Sequence, residues 1–85
     1  MDENVILVLM PKKDLVKASA VLTRWLVKDG EWIEAGQAFF AYESEKVESE
    51  ATAPASGFAR LLVEAGSKVR INEPVAEIHG GSREE

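Results

Sequence analysis

The residue best equipped for chemistry in this chain is Lys46, because of what surrounds it: Glu43, Glu45, Glu48 and Glu50 lie on either side, and Val47 follows directly. A lysine amine supports two kinds of covalent chemistry. It can attack a carbonyl itself and form a Schiff base, or it can be acylated when another enzyme brings an activated acyl group. Catalytic Schiff-base lysines are kept neutral by apolar or cationic surroundings. Four flanking glutamates supply the opposite environment, so acylation by a partner enzyme fits better. Glutamates at alternate positions of an extended chain share one solvated face, where they would serve as a recognition surface.

The other candidates carry less. His79 is the single histidine, with no Ser/Asp arrangement of triad type beside it, and one histidine cannot build a zinc site. The chain has no cysteine, which removes disulfides, thiolate metal sites and thiol catalysis. No catalytic residue and no metal site are therefore expected. Trp25 is read as core and Trp32 as partly exposed, since tryptophan in a small β domain mainly supplies buried area. Ten Lys and Arg against 15 Asp and Glu give a net charge of −5, which disfavours nucleic acid as a partner. The longest apolar run, Val5 to Met10, is far short of the roughly 20 residues that cross a bilayer. Met1-Asp2-Glu3-Asn4 has neither the basic start of a secretory signal nor the character of a transit peptide. A cytoplasmic setting, or a domain cut from a longer chain, is the expectation.

Elements that could present such a lysine follow from the pattern. Short apolar runs rich in β-branched and aromatic residues, Val5 to Met10, Ala20 to Val27, Ala38 to Tyr42, Gly57 to Val63 and Val75 to Ile78, read as strands. Turn residues such as Asp29-Gly30, Pro54 to Gly57, Ala65-Gly66 and Asn72-Glu73-Pro74 punctuate them too densely for helices. Lys12 to Ser19 reads as a loop with a short strand. Ala38 to Ser44 leads into Glu45-Lys46 and Val47 to Thr52 leads out, so Lys46 is expected at a hairpin tip.

The chain also repeats itself. Arg24 to Gly30 matches Arg60 to Gly66 thirty-six residues later, and the same offset pairs Ile33 with Val69, Phe39 with Val75, and Tyr42 with Ile78. Two similar units in 85 residues imply two halves related by an approximate two-fold axis around a shared core. The class is all-β, a flattened barrel or two-sheet sandwich. Gly30 and Gly66 fall in equivalent turns, where positive φ costs glycine nothing.

Met10-Pro11-Lys12, Arg24 to Gly30, Glu34 to Gln37, Glu43-Ser44-Glu45-Lys46-Val47 and Ala53 to Gly57, with Gly57 eleven residues after Lys46, together resemble the lipoyl domains of 2-oxo acid dehydrogenase acyltransferase components, within the wider biotinyl/lipoyl attachment family. The resemblance runs from about Val5 to Ile78. It implies a barrel-sandwich hybrid of two four-stranded sheets, with the termini at one end and Lys46 at the other. It further implies lipoic acid attached to Lys46, with Glu43, Glu45, Val47 and Gly57 as turn and recognition context. Lipoyl domains usually carry Asp-Lys-Ala or Asp-Lys-Val at the turn, whereas biotinyl domains carry methionine beside the lysine. Glu45-Lys46-Val47 is nearer the lipoyl form, leaving a biotin carrier or an unmodified interaction module as alternatives. Implied partners are a lipoate-protein ligase or lipoyl transferase, a thiamine-diphosphate 2-oxo acid decarboxylase, an acyltransferase core and dihydrolipoamide dehydrogenase. The domain is expected to span residues 1–79, with residues 80–85 as a flexible tail or the start of a linker.

Overall fold

A computed structural model of the chain describes residues 5–11, 19–44 and 46–80. Eight strands follow in order: β1 (Val5–Leu9), β2 (Ser19–Trp25), β3 (Trp32–Ile33), β4 (Ala38–Ser44), β5 (Val47–Thr52), β6 (Gly57–Leu61), β7 (Lys68–Arg70) and β8 (Pro74–His79). They form two four-stranded antiparallel sheets, ordered β1-β8-β6-β3 and β5-β4-β2-β7. This is the flattened all-β sandwich that the repeat implies. The expected loop over Lys12 to Ser19 lies outside the described residues except for Ser19, which opens β2. Of the proposed tail, residues 81–85 lie outside them as well.

The two-fold relation holds residue by residue. In one sheet Phe58 pairs with His79, Ala59 with Ile78, Arg60 with Glu77 and Leu61 with Ala76. In the other, Val21 pairs with Glu43, Leu22 with Tyr42, Arg24 with Ala41 and Trp25 with Phe40. Backbone hydrogen bonds outside the ladders match likewise. Leu26 N donates to Phe39 O as Leu62 N does to Val75 O, and Gly30 N donates to Ala59 O as Gly66 N does to Leu22 O. Gly36 and Asn72 occupy equivalent turns with φ of 87° and 74°, a conformation that asparagine tolerates better than most residues. The match has one interruption. The register shifts between Leu22 and Arg24, so Thr23 is an extra residue, a β-bulge that β6 lacks.

Both halves turn their apolar positions inward. Met10, Leu22, Ile33, Phe39, Phe40, Val75 and Ile78 are the largest fully buried side chains. Consecutive Phe39 and Phe40 can both be buried because β4 shifts register against β5 between Ala38 and Phe40. The ring centroids of the two phenylalanines lie 5.7 Å apart at 61°, an edge-to-face contact favoured by aromatic quadrupoles. Trp25 departs from expectation: it is only partly buried, packed against the core rather than within it. Its indole N–H explains the position, donating to Val63 O at 3.0 Å at the rim. Trp32 is partly exposed, as expected, with its ring edge-on to Phe58 at 4.9 Å. β2 and β6 stop two residues short of the sequence reading, at Trp25 and Leu61, because Leu26 and Leu62 leave the ladders to make the equivalent turn bonds described above.

Candidate lysine attachment site

β4 and β5 form a hairpin in unbroken register from Phe40 opposite Ala51 to Ser44 opposite Val47. Lys46 lies in the turn beyond the last pair, with φ of 67°. A tight hairpin favours left-handed backbone in its turn because the twist then matches that of the strands, and for a side chain other than Gly or Asn this conformation costs about 1 kcal/mol. Lys46 and Val47 are both exposed, Val47 at 61%. An aliphatic side chain so open beside an open amine gives the tip an apolar as well as a charged feature. Glu45 lies outside the described residues.

The remaining glutamates sit where alternation puts them. Glu43 and Glu48 are directly opposed across the hairpin, and Glu50 opposes Ala41 two pairs further in; all three are exposed. Like charges facing each other across strands are unfavourable. Thr23 relieves part of this, its hydroxyl donating to Glu48 Oε2 at 2.9 Å. The bulge therefore has a local use, because the extra residue carries the hydroxyl that holds one carboxylate of the opposed pair. Sequence reasoning missed Thr23. The signal was present as a change in the repeat offset between the two sides of that residue.

Gly57 is not at this site. It begins β6, pairs with Ile33 and packs against His79 and Ile78 of β8, beyond the end of the β4–β5 hairpin opposite Lys46. Its spacing from the lysine thus reflects the length of β5 and the following turn, and its contacts are those of packing. His79, given little weight as a catalyst, contacts Glu77 through Nε2 and Oε1 at 2.8 Å, also away from Lys46.

Residues 7–78 match the Biotin_lipoyl family model, described as biotin-requiring enzyme. The chain belongs to the biotin/lipoyl family. This biotin/lipoyl domain is also 38% identical, over 58 residues, to the dihydrolipoyllysine-residue acetyltransferase component of the pyruvate dehydrogenase complex of Mycoplasma capricolum. The match covers 67% of this chain and 13% of that protein, so the chain corresponds to a small part of its relative's length.

The turn geometry yields a stability test. If Lys46 is kept in left-handed backbone for chemistry rather than for folding, Lys46→Asn should stabilise the domain by about 0.5–1 kcal/mol, since asparagine accepts that conformation more readily. The expected rise in melting temperature is a few degrees, measured by circular dichroism. An unchanged or lower melting temperature would show that the turn stores no such strain.

Proposed function

We propose that this domain is a lipoyl carrier, acylated on Lys46 and visited in turn by the enzymes of a 2-oxo acid dehydrogenase complex. The observation that carries this reading is the placement of exposed Lys46 in the turn of the β4–β5 hairpin, in backbone that another residue would occupy at lower cost. Acylation joins Nζ to the carbonyl carbon of an activated lipoyl group; the activating group leaves with the bonding electron pair and the modifying enzyme accepts the amine proton. Once bound as an amide, the lipoyl group supplies a dithiolane arm for reductive acylation and acyl transfer. The chain's own contribution is presentation. The β4–β5 hairpin sets where the lysine side chain leaves the backbone, Val47 offers an apolar contact, and Glu43, Glu48 and Glu50 offer charge to a docking enzyme.

The domain is thus a substrate and carrier, with the catalytic steps belonging to its partners: a lipoate-protein ligase or lipoyl transferase, a thiamine-diphosphate decarboxylase, an acyltransferase core and dihydrolipoamide dehydrogenase. Tethering raises the effective concentration of the acyl group at each active site, turning bimolecular encounters into intramolecular ones. Attachment of biotin to the same lysine is the second reading. Lipoate is favoured because Val47, not methionine, follows the lysine, and because the relative is named for a dihydrolipoyl-lysine residue.

Intact mass after incubation with a lipoate ligase and, separately, a biotin ligase distinguishes these readings. A single lipoyl increment is expected, absent from Lys46→Gln. A biotinyl increment alone would replace the cofactor assignment; no increment with either ligase would remove the carrier reading.

A further inference from the structure

The internal two-fold relation pairs the lysine-bearing edge of the domain with a second edge strand of opposite character. Strand β5 corresponds to β1: Glu48 opposite Glu43 is matched by Val5 opposite His79, Glu50 opposite Ala41 by Leu7 opposite Glu77, and Thr52 opposite Ala38 by Leu9 opposite Pro74. On β5 these outward positions are Glu, Glu and Thr. On β1 they are Val, Leu and Leu, exposed at 45%, 52% and 40%. Phe58, at 37%, lies in the row of Val5 and His79 and extends the patch. Soluble proteins protect edge strands with charge, proline or a cover, because an open edge presents unpaired backbone groups to any other strand. β5 has such charges and β1, Val-Ile-Leu-Val-Leu, has none. Among the described residues β1 pairs only with β8.

We propose that β1 is a self-association surface, pairing antiparallel with β1 of a second copy about a two-fold axis through Leu7. The strand is self-complementary in that arrangement: Val5 falls opposite Leu9 of the other copy, Ile6 opposite Val8, and Leu7 opposite itself, so aliphatic meets aliphatic throughout. Isologous contacts of this kind close on themselves at two copies. The exposed apolar surface is on the order of 350 Å² per copy, the size at which patches on soluble proteins are functional. Edge-to-edge pairing covers the flanks of these side chains and leaves the sheet faces open, so the buried area stays under the roughly 1,000 Å² of specific complexes and in the range of transient contacts. The dimer is therefore weak, with a dissociation constant between micromolar and millimolar. It joins two four-stranded sheets into one of eight and leaves both Lys46 tips exposed. The inference does not rest on the carrier reading.

Sedimentation velocity across that concentration range, with amide hydrogen exchange, tests it. The weight-average mass should rise toward that of a dimer as concentration increases, with rising protection of β1 amides and intermolecular nuclear Overhauser contacts between Val5 and Leu9. Leu7→Lys should raise the dissociation constant at least about tenfold, a change of about 1.4 kcal/mol, and Leu9→Lys should weaken association similarly. Thr52→Lys, at the equivalent position of β5, should leave association unchanged. Melting curves of all three identify any variant that fails to fold, and the contacts in the unmodified chain stand independently of them. A chain that stays monomeric at millimolar concentration, or a dimer whose β1 amides gain no protection, would overturn the proposal.

Discussion

Transferring the lysine by one position, in the double variant Lys46→Gln/Val47→Lys, should lower the rate of lipoylation at least about a hundredfold, although an exposed amine remains within one residue of the original. The argument is geometric. Position 46 has left-handed backbone beyond the last hairpin pair, with φ of 67°, whereas Val47 is a strand residue in register with Ser44. A side chain at 47 leaves the sheet in the direction set by the pleat, so its amine reaches a different point in a docked enzyme. Misplacement of a reacting group by about 1 Å can cost a hundredfold, and the shift here is larger. The single variant Val47→Lys is the control, since it keeps Lys46 and should still be acylated there. Initial rates by intact mass, with the modified residue located by peptide mapping, decide the matter. Acylation of position 47 at the original rate would mean that the ligase reads any accessible lysine in an acidic hairpin, and the weight placed on backbone geometry would be lost.

Such geometry was only partly legible in the sequence. The β4–β5 hairpin could be read because glutamates recur at alternate positions on either side of a short turn, and the two-sheet class because apolar positions recur thirty-six residues apart. β3 and β7 were not read. Two and three residues long, they are too short for periodicity and exist because the symmetric turns around Gly30 and Gly66 return the chain to a neighbouring strand. Thr23 was missed because a bulge changes register without changing composition. Trp25 was placed too deep because composition rewards its area while ignoring its N–H, which needed a partner at the rim. A run of six apolar residues announced β1 as a strand, but sequence alone could not say that half of them face outward. Gly57 shows the opposite limit: its spacing from Lys46 grouped it with the turn, and only the structure shows it packed where β6 meets β8.

That packing predicts a large effect from the smallest possible change, Gly57→Ala. A Cβ at position 57 would lie 2.7 Å from the carbonyl oxygen of His79 and 2.7 Å from Cγ2 of Ile78, well inside van der Waals contact. The oxygen belongs to the backbone of β8, which is bonded on both sides, to β1 and to β6, and cannot withdraw without straining one ladder. Overpacking of this kind costs about 3 kcal/mol, a large share of what so small a domain commands, and should lower the melting temperature by roughly 15 °C. The equivalent residue in the other half is Ala20, itself buried, so the fold excludes a methyl group only on the side where β8 approaches. Adding Ile78→Leu to Gly57→Ala removes the branched methyl but leaves the carbonyl, and should restore only part of the loss. Because Gly57 lies away from the lysine turn, the folded fraction of Gly57→Ala at low temperature should accept lipoate at the unaltered rate. A melting temperature within about two degrees of the parent would show that β6 and β8 adjust freely. A stable variant that is not acylated would restore Gly57 to the recognition surface.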